Sequence, residues 1–344
     1  MALIENPILS QALWVSPETN PHPVKPERFQ PQALSEIAWL GGKEEQVAVF
    51  PILNGLPVSA GFSWGAQAYN LMLSSQALQQ LQDGSPRKTE ATIKYLLGST
   101  QLLKVESRPI DTVRIAPHMK RGKPNNQPEV LEITDGIMEK HREDVLEHFE
   151  DSDFPQNLAT GADFVFTRMT GVALVVMPAD CPSAVIYAKD KYGRDIVGVS
   201  HWGRDEVENL SPAKTIACLR AEGCAAKDII VALSPGISKD NYFIQQRDVD
   251  RLLPNLGRWG DRAEPRRVVE RARWGDEEER VYLDLAGRIT DQVQDFLVPG
   301  SNIEIYNVDT YEAAKKGIAP SFRFATTHKS PSRDGRIIIT AQLA

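Results

Sequence analysis

Apolar residues along this chain cluster in short runs, some continuous and some alternating with polar positions, separated by Gly, Pro and Asp. Such runs cover Gln46 to Ile52, Gln101 to Ser107, Thr112 to Ala116, Asp163 to Thr167, Ala173 to Met177, Ala184 to Tyr187, Ile196 to Val199, Ile229 to Leu233, Ile303 to Tyr306 and Arg336 to Thr340. Their length and β-branched content predict strands. Helical spacing appears between some of them. Pro212 to Glu222 reads as a helix with Ser211 as its N-cap and Gly223 closing it. Asp284 to Phe296 and Arg87 to Leu97 read as two more. Strands and helices mixed without regular alternation predict an α/β chain of the α+β kind, layered and with mixed sheets.

Punctuation and charge divide the chain. Pro17, Pro21, Pro23, Pro26 and Pro31 crowd the N-terminal stretch, so residues 1–50 are expected to form an irregular extension and residues 51–344 the main domain. Within it, residues 119–160 stand out as a charged insertion, read as a loop leading into an exposed helix. His141 and His148 share one face of that helix, which reads as a solvated face. Asp261 to Arg280 mixes Arg and Glu densely, as a salt-bridged surface does.

Composition narrows the function classes. The 344 residues carry 39 Lys and Arg against 46 Asp and Glu, a net charge of −7. An acidic chain is ill-suited to nucleic acid or an anionic membrane, both of which need a basic face. The start, MALIENPILSQALW, lacks the basic region of a signal peptide, and no apolar run approaches a membrane span. A cytoplasmic location is expected. Three cysteines, Cys181, Cys218 and Cys224, are too few and odd in number for a disulfide scaffold. Oligomeric state leaves no trace in the sequence.

Candidate chemistry gathers at predicted strand ends. The run from Gly171 to Met177 leads into Pro178-Ala179-Asp180-Cys181-Pro182, and the strand from Ile196 leads into Ser200-His201-Trp202-Gly203-Arg204. Neighbouring strands of one sheet would set Cys181 beside His201. A thiolate against an imidazole serves either as nucleophile and base or as two ligands of a soft or borderline metal. The plainer alternative for a cysteine after a strand is packing. His118 also sits at a strand end, and three protein ligands with a fourth position open is the pattern of catalytic zinc. His22 and His328 have no comparable context, and Cys218 and Cys224, on and just past a helix, read as structural.

These motifs, in order, resemble the laccase-domain family of YfiH-like proteins, also described as polyphenol oxidases or purine nucleoside phosphorylases. Ala60-Gly61-Phe62-Ser63 resembles its GFS turn and Tyr69-Asn70-Leu71 its asparagine-leucine segment. His118 stands at its glutamine-x-histidine-glycine motif, and GADFVFTRMTGVALVVMPADC, Gly161 to Cys181, is the most specific match. His201 opens the HAGWRG element, Leu233 to Ile237 matches the glycine-proline turn with Tyr242 following, and Ser321-Phe322-Arg323 resembles the serine-tyrosine-arginine segment. This chain departs in reading HWGRDE at His201, with Trp202 for a small residue, Ala116 for a glutamine, Trp64-Gly65 where an arginine is usual, and 63 residues from His118 to Cys181.

The resemblance implies a β-sandwich-like core, with His118, Cys181 and His201 as a metal-binding trio, zinc or alternatively copper. It implies phosphorolysis of adenosine, inosine or methylthioadenosine, adenosine deamination, or copper-dependent polyphenol oxidation. Small-molecule nucleoside and phosphate would be the partners. On that reading Arg204 and Arg323 are candidates for phosphate, Asn70 for base or ribose, and Asp180 for a general base or an anchor behind the ligands. Two other readings stand beside it: Cys181 as a metal-free nucleophile with His201 as base, and a catalytically degenerate relative that binds a partner or ligand.

Overall fold

A computed structural model describes residues 46–64, 111–115, 130–139, 157–160, 162–269, 277–306, 308–329 and 337–344. The strands are β1 (Gln46–Val49), β2 (Val58–Trp64), β3 (Asp111–Ile115), β4 (Val130–Ile133), β5 (Asn157–Thr160), β6 (Phe164–Thr167), β7 (Val172–Val176), β8 (Ser183–Lys189), β9 (Asp195–His201), β10 (Ile230–Leu233), β11 (Phe243–Gln245), β12 (Ala263–Val269), β13 (Glu277–Leu283), β14 (Ile303–Ile305) and β15 (Ile339–Leu343). They form two six-stranded sheets, β1-β2-β15-β7-β3-β5 and β14-β10-β8-β9-β6-β4, and a small sheet β11-β13-β12. Helices that matter below are α1 (Arg204–Glu208), α2 (Ser211–Ala221), α3 (Val249–Leu252), α4 (Leu285–Gln294), α5 (Thr310–Lys315) and α6 (Phe322–Thr327).

The alternation in β6, β8 and β9 explains the layering. Val165, Val185, Tyr187, Val197 and Val199 face the first sheet, where Phe62, Leu174, Val176, Ile339, Ala341 and Leu343 meet them in one buried core. Their neighbours Phe164, Phe166, Ala184, Ile186 and Ile196 face the opposite way, onto Ile216 and Leu219 of α2, Ile289 and Val293 of α4, and Ile244, Val281 and Leu283 of the small sheet. A strand whose side chains point alternately to two buried faces reads as a near-continuous apolar run, as Phe164 to Phe166 of β6 and Ala184 to Ala188 of β8 do. The result is a mixed α+β architecture, a sheet-on-sheet sandwich with helices on one outer face.

Several expectations shift. Ser211 is the first residue of α2 rather than its cap; Leu210, at φ 60°, precedes it, and the Ser211 hydroxyl is buried without a partner. Pro212 explains this, since its missing N–H costs nothing in a first turn. Gly223, at φ +88°, does close the helix. β1 lies within the stretch read as the irregular extension and pairs antiparallel with β2. β4 and β5 lie within the charged insertion, β4 pairing with β6 and β5 with β3. Asp261 to Arg280 contributes β12 and β13, whose facing Arg267 and Glu279 form an ion pair. The candidates Gln101 to Ser107, Arg87 to Leu97, His22, His141 and His148 fall outside the described residues. Among the described residues no helix is long and apolar enough to cross a membrane.

Candidate metal centre

Strand pairing brings the cysteine and the histidine together. In the antiparallel β8–β9 pair, Ser183 lies opposite His201. Trp202 N–H donates to Pro182 O at 3.1 Å, and His201 N–H to Asp163 O at 3.2 Å. Cys181 therefore enters β8 where His201 leaves β9. The expectation mounted Cys181 on the strand ending at Met177, but that strand, β7, belongs to the other sheet. Residues 178–182 are the crossing between sheets, pinned by Ile337 N–H to Pro178 O and Ile237 N–H to Asp180 O, both 2.8 Å. The Ser234–Ile237 turn backs this crossing: Ser234 N–H donates to Ser183 O at 2.9 Å, and a Cβ on Gly236 would lie 2.6 Å from Pro182 Cγ. Only glycine fits so close to a proline ring.

Gly203 is the second close approach. A Cβ there would lie 2.9 Å from Cys181 Sγ, 2.9 Å from Glu206 Oε2 and 3.0 Å from His201 Cε1. Thiol, imidazole and carboxylate thus converge on one point of backbone. The His201 side chain is 14% exposed and Glu206 13%. His201 Nδ1 stands 3.4 Å from Glu206 Oε2, an ion-pair distance without hydrogen-bond alignment, so Nδ1 is buried with no aligned partner. Burial works against the imidazolium, but the neighbouring Glu206 and Cys181 outweigh it and raise the ring's proton affinity well above that of ordinary histidine. Trp202, fully buried, packs in the helix-side core.

Cationic and aromatic groups adjoin this point. Arg204 Nε donates to Asp205 Oδ1 at 2.8 Å. Burial disfavours its charge, yet Tyr242, Asp205 and Cys181 together raise its pKa. Arg323 Nη2 donates to Phe243 O at 2.9 Å, and its guanidinium carbon sits 5.5 Å from the Tyr242 ring centre and 4.9 Å from that of Phe243. Burial pushes the Tyr242 hydroxyl upward, keeping it neutral and able to donate, although Arg204 and Arg323 pull the other way. Asp180 is buried and accepts from Thr310 Oγ1 at 2.6 Å and Arg323 N–H at 2.7 Å. Burial raises its pKa against those hydrogen bonds. With both oxygens accepting, Asp180 ties the Cys181 turn to α5 and α6.

Other predicted residues separate from this cluster. His118 and Asn70 lie outside the described residues; β3, which His118 follows, runs parallel to β7 with Ile115 opposite Val176. His328 ends α6 and contacts the Tyr311 hydroxyl through Nε2 at 3.0 Å. Cys218 and Cys224 are free thiols pushed up to about 12 and about 11, chiefly by burial. Among the described residues no three His, Cys, Asp or Glu come together closely enough to hold a metal ion. The thiol of Cys181 and the imidazole of His201 nonetheless form a sulfur–nitrogen donor pair, which suits zinc or copper and fits a trio completed by one further ligand. Glu206 escaped the sequence reading; its one signal was an acidic residue a turn past His201.

The model of the family described as multi-copper polyphenol oxidoreductase laccase matches residues 130–323, more than half of the chain and all of the described cluster. The chain belongs to this family. Solved structures agree with the fold of this laccase-family chain. YfiH of Bacillus licheniformis matches with a TM-score of 0.57 at 17% identity, covering 88% of this chain and 97% of its own. YlmD of Geobacillus stearothermophilus gives 0.58 at 17%, covering 89% and 98%. The Neisseria meningitidis protein NMB0706, described under the family model DUF152, gives 0.53 at 14%, covering 86% and 98%. No curated protein matches the laccase-family chain.

Proposed function

We propose that this chain is a metal-dependent enzyme acting on purine nucleosides, by phosphorolysis of adenosine, inosine or methylthioadenosine, by deamination of adenosine, or both. The observation that carries the proposal is the convergence of Cys181 and His201 on Gly203 with Arg204, Tyr242 and Arg323 alongside. His118, Cys181 and His201 are the proposed ligands, and zinc held by them would supply Lewis acidity at the reacting atoms. Arg204 and Arg323 would bind phosphate, because a guanidinium presents paired donors to two oxygens. In phosphorolysis a phosphate oxygen bonds to C1′ of the ribose as the C1′–N9 bond breaks, and the purine leaves with the electron pair and gains a proton. The neutral Tyr242 hydroxyl would donate to a substrate oxygen, and Asp180 would keep Arg323 in place through its backbone N–H.

Copper-dependent polyphenol oxidation is a second reading, favoured by the family's description and served by the same sulfur–nitrogen pair. One experiment separates them: untagged protein is assayed for metal by mass spectrometry, then incubated with adenosine and phosphate or with a diphenol and oxygen. Zinc in near-stoichiometric amount with adenine, inosine or hypoxanthine formed supports the first reading. Copper with oxygen uptake supports the second. Bound metal with neither turnover leaves the chain a non-catalytic binding protein.

A further inference from the structure

The side chain that faces His201 across Gly203 has no place in the metal trio or the phosphate contacts. Glu206 lies in the first turn of α1, whose start is set by Val207 N–H donating to Gly203 O at 2.9 Å. That turn swings the Glu206 carboxylate back over the strand end, to 3.4 Å from His201 Nδ1. A second acid on α1, Glu208, shows what a purely structural role looks like. It accepts from Asn255 N–H at 2.6 Å and from the Trp259 indole, tying α1 to the segment after α3. Glu206 points the other way, at the imidazole, and both groups are largely removed from solvent. Withdrawing a carboxylate from water is costly unless a partner compensates, and the ring is positioned to do so. His201 Nδ1 and Glu206 Oε2 stand at ion-pair distance without hydrogen-bond alignment.

We infer that Glu206 is a positioning residue for His201, accepting a hydrogen bond from Nδ1–H so that the ring holds one tautomer and orientation and leaves the Nε2 lone pair for ligation. The inference rests on the reading of His201 as a site residue. A histidine ligand with its second nitrogen bound to a carboxylate is oriented and made more basic, and losing that carboxylate weakens metal binding about 10–100-fold. The HWGRDE segment supplies the carboxylate from the residues that immediately follow the ligand.

The test uses the full-length chain as wild type, Glu206→Gln and Glu206→Asp. Histidine ring nitrogens are read by NMR in the metal-free protein above the pH at which the ring titrates, with His201→Asn identifying the signal. Zinc affinity is read by competition with a chromophoric chelator. Wild type should show a protonated Nδ1. Glu206→Gln should lose that preference and bind zinc about 10–100-fold more weakly, while Glu206→Asp recovers part of both. Unchanged tautomer and unchanged affinity in Glu206→Gln overturn the inference. Should wild type bind no zinc yet Glu206→Gln still shift the tautomer, the positioning role stands and the metal reading fails. If wild type binds zinc and Glu206→Gln matches it in both readouts, the positioning role alone is lost. Should Glu206→Gln fail to fold, Glu206→Asp decides: a changed tautomer with weaker binding supports the inference, and identity with wild type refutes it.

Discussion

Gly203 owes its identity to its surroundings rather than to its own backbone, which is ordinary extended chain at φ −75°. With three side chains around 3 Å from where a Cβ would stand, Gly203→Ala must push Cys181, His201 or Glu206 aside. We expect zinc affinity to fall about tenfold or more, in keeping with other disturbances just behind a metal ligand. The melting curve should change little, because the site lies at a strand end outside both cores; chelator competition beside thermal unfolding checks both halves. Asp180 should behave in the reverse way. Asp180→Asn puts an amide where Thr310 and Arg323 both donate, leaving a buried donor unsatisfied at a cost of about 1–3 kcal/mol, readable by urea unfolding. Cys181 and His201 were legible as strand-end residues with metal-capable side chains. Glu206 was not, because its approach to His201 exists only once the chain turns from β9 into α1.

At the scale of elements, the period-2 pattern located most of the inner strands. Gly198 on β9 shows how tightly they fit: a Cβ there would come 2.4 Å from the Phe164 ring and 3.0 Å from Val165 O. Gly198→Val would force the stacked Phe164–Phe166 pair out of place, and we expect a loss of about 1–3 kcal/mol, seen as a lower urea midpoint with an unchanged slope. Two of the strands that escaped notice share a cause. β12, AEPRRVV, carries Glu264, Arg266 and Arg267 within seven residues, and β4, VLEI, sits in charged surroundings. Composition there described the solvent face correctly and hid the strand beneath it. Periodicity also assigns a residue to a face but not to a sheet, and so Cys181 was mounted on β7 when β8 and β9 hold it.

For the whole molecule, the layered α+β class was legible and the sheet order was not, since pairings such as β15 with β2 leave no local mark. The same packing creates a pH dependence. Glu304 on β14 is buried, with Oε2 accepting Ile52 N–H at 2.6 Å and Oε1 without a partner. Burial lifts its pKa from 4.5 to about 7. A carboxyl raised in the folded chain lends stability below its unfolded value, and that contribution is lost as pH climbs through the folded one. Relative to Glu304→Gln, which cannot titrate, wild type should therefore lose on the order of 2 kcal/mol between pH 4.5 and about 7. Parallel denaturation curves across that window measure it; a pH-independent difference would refute the assignment. The central place of β15 has a consequence in time. β2 and β7 share no edge until β15 arrives between them, and Ile339 follows Val176 by 163 residues. At about 5–20 residues per second of synthesis, β7 waits roughly 8–30 s for its neighbour. Throughout that interval one edge each of β2 and β7 lacks its partner strand, and an unpaired edge is open to the wrong pairing for as long as it waits.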